Sequence, residues 1–305
     1  MQNEPIISAI MLTYNREQLV SRAIESMLSQ TFSDFEFIIV NNGSTDHSGE
    51  IADEYARKDG RIRVIHRERG NIGSGRNTGL DASRGEYVTF VDDDDWCEPD
   101  FLDFLYNLAL DNNAEMSICG STDRAFEKKE IMTAEGAIVE LMWRKYYTAA
   151  FPTKMFKKEL VKKLRFPEIG AYDDIALMYQ LLAQANKVAY HGIPKYTFYR
   201  HEGNNSAWTT NHKLITADTL DEYLAAFRER TSWLCGRFPK NSEMWRYFEL
   251  SFMISMVEKV KRLNIQECSL QLNDMLNELR ANKDKFISSS WALDFEKEWM
   301  AQYVC

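Results

Sequence analysis

The sequence predicts an α/β protein: a Rossmann-like, mostly parallel sheet with helices on both faces, followed by an α-helical C-terminal extension. Two observations carry the prediction. Short β-branched apolar runs alternate with segments whose apolar residues recur at helical spacing, a pattern that specifies parallel strands joined by right-handed crossovers. From about His212 onward only helical spacing remains, with no internal repeat and no low-complexity linker.

The first strand spans Ile6 to Leu12, short, apolar and β-branched at several places. A helix follows, capped by Asn15 with Gln18 three residues later, and Leu19, Val20, Ala23, Ile24, Met27 and Leu28 share one face. The cycle repeats with a strand from Phe35 to Val40, a helix capped at Ser44 or Thr45 that buries Ile51, Ala52, Tyr55 and Ala56, and a strand from Ile62 to Ile65. A short helix from Ser74 to Ala82 leads to the strand Tyr87 to Val91. A helix carrying Phe101, Leu102, Leu105 and Leu108 and a strand from Met116 to Cys119 come next. The pattern loosens from Ser121 to Met132, and helical spacing resumes around Ile138, Leu141 and Met142. The segment from Phe166 to Asp174 then runs into a helix with Ile175, Met178, Tyr179 and Leu182 on one side. Two aromatic stripes mark the C-terminal helices: Trp245, Phe248, Phe252, Met253, Met256 and Val260, then Trp291, Phe295, Trp299 and Tyr303. Such stripes are read first as packing surface; their other use is docking on a membrane or a lipid-linked molecule.

At 305 residues and 45 % hydrophobic content the chain holds one large α/β domain with an extension, or two domains. No apolar run approaches the roughly 20 residues of a membrane span, and the N-terminus has neither the basic start nor the apolar stretch of a signal peptide. Cytoplasmic residence is expected, at the inner face of the cell membrane if the stripes dock there. Five cysteines without CxxC spacing support neither a disulfide framework nor a zinc site. A net charge of −9 argues against nucleic acid as a partner and leaves room for a bound divalent cation.

The most informative segment is Glu86 to Trp96, where a strand ends in four consecutive aspartates, Asp92 to Asp95. In open α/β sheets ligands bind outside the carboxyl ends of strands. Alternation along a strand points Asp92 and Asp94 the same way while Asp93 faces elsewhere. Two hard oxygen donors on one side suit Mg²⁺ or Mn²⁺, whose shell is completed by water and substrate phosphates. The competing reading is a solvated acidic turn before a helix, with Pro99 at the helix start. An EF-hand is disfavoured, because its loop requires glycine at the sixth position and Cys97 stands there. Neither GxGxxG nor GxxxxGK[ST] occurs, so dinucleotide and P-loop readings fail. His191, His201 and His212 are not at metal-ligand spacing.

Several motifs in order resemble the family 2 glycosyltransferases of the GT-A fold, which transfer a sugar from a nucleotide donor with inversion. They are Leu12-Thr13-Tyr14-Asn15, Ser29 to Phe32, Val40 to Asp46, Gly73 to Gly79, Asp92 to Trp96, Tyr172-Asp173-Asp174 and Tyr199-Arg200, so the resemblance covers Pro5 to about Ser206. It implies that Thr13 and Tyr14, with Asn15, lie against the nucleotide, that Asp92, grouped with Asp93, faces the donor ribose or sugar, and that Asp94 is the principal metal ligand. Arg76 matches an arginine near the donor diphosphate or sugar, and Asn77 orders the loop. Asp174 corresponds to the general base and Asp173 to its usually glutamate neighbour; Asp95, Arg200 and His201 are supporting candidates. The implied division is residues 1–211 for the GT-A domain, with a nucleotide-sugar half to about 120 and an acceptor half to 211, and 212–305 for the helical region. One departure is chemically pointed. Asn41-Asn42 stands where the family commonly has two aspartates, the second accepting from the uracil ring; Asn42 still accepts through its carbonyl while offering its NH₂ to a base carbonyl.

Inverting transfer is one in-line displacement: an acceptor hydroxyl attacks the anomeric carbon opposite the leaving nucleoside diphosphate. One carboxylate within reach of that hydroxyl suffices, and a divalent ion with an arginine stabilises the leaving charge. The expected activity is therefore metal-dependent transfer from a nucleotide donor, a UDP-sugar by preference, to a saccharide, glycoconjugate or lipid-linked acceptor in surface polysaccharide synthesis. The alternatives are a nucleotidyltransferase, which would use a glycine-rich loop directly after the first strand, and a catalytically silent sugar-nucleotide-binding protein. A retaining glycosidase explains none of the N-terminal motifs. For Asp173-Asp174 the competing reading is helix capping ahead of Ile175.

Overall fold

The computed structural model describes residues 4–162, 164–170, 172–201, 203–204 and 207–304. Ala171 and Ser206, which fall within sequence segments noted above, lie outside the described residues. The chain forms two compact units, residues 1–199 and 200–305.

The first unit begins with β1 (Ile7–Thr13), α1 (Val20–Leu28), β2 (Phe35–Asn41), α2 (Ser48–Lys58), β3 (Ile62–His66), α3 (Ile72–Ala82) and β4 (Tyr87–Asp92). It continues with β5 (Trp96–Cys97), α4 (Phe101–Asp111), β6 (Met116–Ser121), β7 (Lys129–Met132), α5 (Ala134–Trp143), β8 (Lys154–Lys157), α6 (Asp173–Leu182) and β9 (Val188–Thr197). One nine-stranded sheet runs β3-β2-β1-β4-β8-β6-β9-β5, with β7 paired to β9. The four strands from β3 to β4 are parallel; β8 then enters antiparallel to both β4 and β6, and β6 and β9 pair in parallel.

Every residue of β2 is buried, as an internal parallel strand covered on both faces requires. Val20, Ala23, Ile24 and Met27 of α1 pack into the same core as Met11, Phe37 and Leu105. Burying each larger side chain contributes about 1.5–3 kcal/mol. The one charged residue in β2, Glu36, is held by Ser8 Oγ (2.7 Å) and by the backbone and guanidinium N–H groups of Arg84 (2.7 and 3.0 Å).

The structure revises several sequence expectations. Asn15 does not cap α1: it has φ 52°, its side-chain Oδ1 accepts from the Thr45 amide (2.8 Å), and the helix begins at Val20. Ser44 accepts from the Asn15 amide (3.1 Å), and Asp46 binds the Ser48 amide (3.0 Å) at the start of α2. Helix α3 begins at Ile72, two residues before Ser74, because Asn71 is its cap, accepting from the Ser74 amide (2.8 Å). Strands β7, β8 and β9 fall where no strand pattern stands out. Each is short, flanked by lysines, or broken by Gly192 and Pro194.

The second unit is helical among its described residues: α7 (Ala217–Arg237), α8 (Ser242–Leu263), α9 (Ser269–Ala281), α10 (Lys283–Ser288) and α11 (Asp294–Tyr303), with short 3₁₀ turns. The first aromatic stripe is core. Trp245, Phe248, Phe252, Met253, Met256 and Val260 are all buried, and Phe252 stacks on Phe227 with centroids 3.9 Å apart. The second stripe is not: Phe295 is 47 % exposed, while α11 turns Glu296 and Met300 inward. No helix among the described residues is long and apolar enough to cross a membrane.

Candidate active site

Parallel register aligns the ends of four strands. Thr13 lies opposite Asn41, Asn41 opposite His66, and Leu12 opposite Asp92. Between β1 and β4 the chain order of the strands reverses, the crevice where open α/β sheets bind ligands.

Strand β4 ends at Asp92, so the pleat no longer orients the residues after it, and Asp93 and Asp95 turn to different partners. Asp93 points back to β1, accepting from the Tyr14 amide (3.2 Å) and facing Arg16 Nε at 3.7 Å. Asp95 is buried and structural: it accepts from Tyr196 Oη (2.8 Å) and from the Tyr199 amide (2.7 Å), fixing β9 beside the turn. Asp92 faces Arg76, with Oδ1 3.6 Å from a guanidinium nitrogen. Burial pushes the carboxyls of Asp92, Asp93 and Asp95 up, that of Asp93 to about 7. The charge of Asp94 adds to the rise in each, against opposition from Arg76 at Asp92 and from Thr13 and Arg16 at Asp93. Such a cluster carries negative charge that a divalent cation relieves. Its donors are all carboxylate oxygens, and no three His, Cys, Asp or Glu side chains among the described residues close a cage. Oxygen donors of this kind suit an ion of the magnesium type, which takes one or two carboxylates and leaves its other positions to water and phosphate.

Arg76 joins the two ends of the site. It is buried in α3, donates to Asp173 Oδ2 (2.8 Å), and is walled by the rings of Phe90, Phe151 and Phe166 at 5.1–5.5 Å. Burial works against its charge, but Asp173, Asp92 and Asp174 outweigh it and raise the guanidinium's pKa. Asp173 is buried in the first turn of α6 and held by Arg76, its carboxyl still pushed up by burial. Asp174, partly buried beside it, accepts from the Ile175 amide (2.8 Å), so some of its capacity is spent on the helix start.

The loop before α6 is tied to α3. Asn77 accepts from the Phe166 amide (3.0 Å) and donates to its carbonyl (3.0 Å). Asn71 donates to the carbonyls of Pro167 (3.0 Å) and Gly170 (3.1 Å). Gly73 makes this approach possible, because a Cβ there would stand 2.0 Å from the Pro167 oxygen. Glycine thus brings Asp173 and Asp174 to the carboxyl end of the parallel strands through helix-to-loop contact.

Asn42 is buried and turned to a loop. Its NH₂ donates to the Gly70 carbonyl (2.9 Å) and its own carbonyl accepts from the Gly70 amide (3.3 Å). Two residues beyond the motifs also belong here. Arg69 stacks on the Tyr14 ring, 3.2 Å from its centroid. Lys154 opens β8 with no exposed surface, donating to the Ala150 carbonyl (2.5 Å) and the Thr153 hydroxyl (3.4 Å); burial drags its pKa from the ordinary 10.5 to about 7, opposed by Cys119 and Asp174. A lysine inside a strand was the available signal, obscured by Lys157 and Lys158 after it. Arg200 and His201 belong to the second unit, where the His201 amide donates to Asn204 Oδ1 (2.6 Å).

Fold and site together define a GT-A type enzyme, with a carboxylate cluster and the buried Arg76 gathered at the strand ends. The sequence model described as "Glycosyl transferase family 2" matches residues 8–180, and the chain belongs to that family of glycosyltransferases. Among curated relatives, glycosyltransferase GlyG of Streptococcus pneumoniae is 32 % identical over 217 residues, 65 % of this chain and 72 % of GlyG. The uncharacterized glycosyltransferase EpsJ of Bacillus subtilis is 45 % identical over 124 residues, which cover 39 % of this chain and only 36 % of EpsJ. In fold the chain is similar to S. aureus TarS 1–349 in complex with UDP-GlcNAc, with a TM-score of 0.73 at 20 % identity over 98 % of this chain and 89 % of that one. It is also similar to the mannosyltransferase PcManGT from Pyrobaculum calidifontis in complex with GDP-Man and Mn²⁺, with a TM-score of 0.56 at 16 % identity over 99 % and 84 % of the two chains.

Proposed function

We propose that this chain transfers a sugar, with inversion, from a UDP-sugar to a hydroxyl of a saccharide, glycoconjugate or lipid-linked acceptor, and that a divalent cation, Mn²⁺ or Mg²⁺, assists. The observation that carries the reading is Arg76, one buried cation reaching both Asp92 at the end of β4 and Asp173 at the start of α6. It ties the donor end to the acid pair, and Asp174 lies next to that link. Asp94 would hold the cation, which when bound would neutralise the diphosphate and assist its departure. Thr13, Tyr14 and Asn15 line the nucleotide side, and Asp92 and Asp93 the ribose and sugar side. Asn42 acts on the base side through the loop at Gly70. Asp174 accepts the proton of the attacking hydroxyl, while Asp173 holds Arg76 near the leaving phosphates. Support for a nucleotide-sugar donor comes from the UDP-GlcNAc carried by TarS and the GDP-Man carried by PcManGT, and support for the cation from the Mn²⁺ of PcManGT. A role in surface polysaccharide is read from the family resemblance.

The test compares Asp174→Asn with Asp94→Asn. Asp174→Asn should keep UDP affinity, measured by titration calorimetry, while transfer from a nucleotide sugar found by screening falls about 10²–10⁴-fold. Asp94→Asn should lose UDP affinity when Mn²⁺ is present and change little in EDTA. Near-normal turnover by Asp174→Asn, or loss of UDP binding as complete as that of Asp94→Asn, would place the base elsewhere.

A further inference from the structure

Helix α1 and the residues after it present polar groups at Arg22, Ser26 and Gln30, a spacing of four that puts them on one edge. Each grips the chain between Asp94 and Leu102. Arg22 donates to the backbone carbonyl of Asp94 (2.5 Å), and Ser26 Oγ accepts from the Cys97 amide (3.2 Å). Gln30 donates to the Glu98 carbonyl (2.7 Å) and accepts from the Leu102 amide (2.9 Å), and the Thr31 amide donates to the Pro99 carbonyl (2.8 Å). The Ser29 to Phe32 motif thus anchors the lower part of this edge. Arg22 is the rung next to the carboxylates.

Its guanidinium packs against two rings, 4.3 Å from the centroid of Trp96 and 4.3 Å from that of Tyr199, in the corner the tilted pair makes with centroids 6.1 Å apart. Both rings are themselves fixed: Trp96 pairs with Thr197 of β9, and the Tyr199 amide donates to Asp95. A flat, weakly hydrated guanidinium suits such an aromatic corner, and from it Arg22 reaches the Asp94 carbonyl. The pairing of β4 with β1 ends at Leu12 opposite Asp92, so no parallel ladder sets the height of the Asp94 peptide. The Arg22 bond to its carbonyl does, together with the Asp95 amide, which closes the turn on the Asp92 carbonyl (3.3 Å).

We propose that Arg22 is a positioning residue: packed against Trp96 and Tyr199, it fixes the Asp94 backbone so that the Asp94 carboxylate meets the divalent cation that accompanies the donor diphosphate. This rests on the reading of Asp94 given above. The test uses the full chain and Arg22→Met, Arg22→Lys and Tyr199→Leu; the last keeps the backbone bond to Asp95 and removes one ring. Free Mn²⁺ is followed by electron paramagnetic resonance in the presence of UDP, UDP affinity is measured separately in EDTA, and thermal unfolding is recorded. Arg22→Met should weaken Mn²⁺ binding at least fivefold while UDP affinity in EDTA stays within twofold. Arg22→Lys, which donates but does not stack flat, should fall between it and the unaltered protein. Tyr199→Leu should shift Mn²⁺ affinity the same way, and serves if Arg22→Met does not fold. Unchanged Mn²⁺ affinity in the folded variants, or equal losses with Mn²⁺ and in EDTA, would overturn the positioning role alone. An unaltered protein that binds UDP equally well with Mn²⁺ and with EDTA would remove the Asp94 reading and this inference with it.

Discussion

Replacing Lys154 by methionine should stabilise the protein at neutral and mildly acid pH, with a gain that disappears as pH rises. The ammonium group is fully buried, with the Ala150 carbonyl and the Thr153 hydroxyl as acceptors, and its pKa drops from the ordinary 10.5 to about 7 on folding. At 1.36 kcal/mol for each tenfold change, that drop amounts to about 5 kcal/mol of penalty for the charged form. Below pH 7 the lysine is protonated in both states, so the folded protein bears the whole cost. Between pH 7 and 10.5 the unfolded chain keeps a proton that the folded chain has released, and stability rises by roughly 1.4 kcal/mol per pH unit. Methionine fills similar space without a charge, but it leaves two acceptors unserved, a loss of about 2 kcal/mol at every pH. The net gain is then about 3 kcal/mol at pH 6.5 and close to zero at pH 9. Urea unfolding of both proteins at the two pH values gives the difference directly, since other titrating groups cancel. A gain that is the same at both pH values would mean that Lys154 keeps its proton in the folded state, and the burial reasoning would be refuted.

Asp173→Asn should destabilise the first unit by about 3 kcal/mol, because it leaves Arg76 buried with a weaker partner; the same urea assay checks it, and native stability would show that Arg76 does not depend on this pair. Asn42→Asp should lower stability by about 1–3 kcal/mol, since a carboxylate would face the Gly70 carbonyl in place of a donor. In a competition series across UDP, GDP, CDP and TDP this variant should keep the rank order of the unaltered protein; a changed order would put Asn42 in direct contact with the base.

The core of the first unit was legible in the sequence because parallel strands buried on both faces must be mostly apolar, and the helices over them must show apolar residues at helical spacing. Ile7 to Thr13, Phe35 to Asn41 and Tyr87 to Asp92 follow that rule, and their shared direction alone puts Thr13, Asn41 and Asp92 at one edge. What the sequence could not determine is which distant group each polar side chain serves. Asn15 satisfies the local rule for a helix cap yet sits at φ 52° and holds Thr45, thirty positions away. Asn42 carries the chemistry to read a base and spends it on Gly70, and Asp173, which reads as a helix-start carboxylate, is the partner of Arg76. Hydrogen bonds and ion pairs of this kind gain their energy only when burial removes competing water and packing fixes the distance. Lys154 makes the point most sharply: lysine is ordinarily a surface residue, and only the closure of β8 between β4 and β6 takes this one out of water and moves its pKa to about 7.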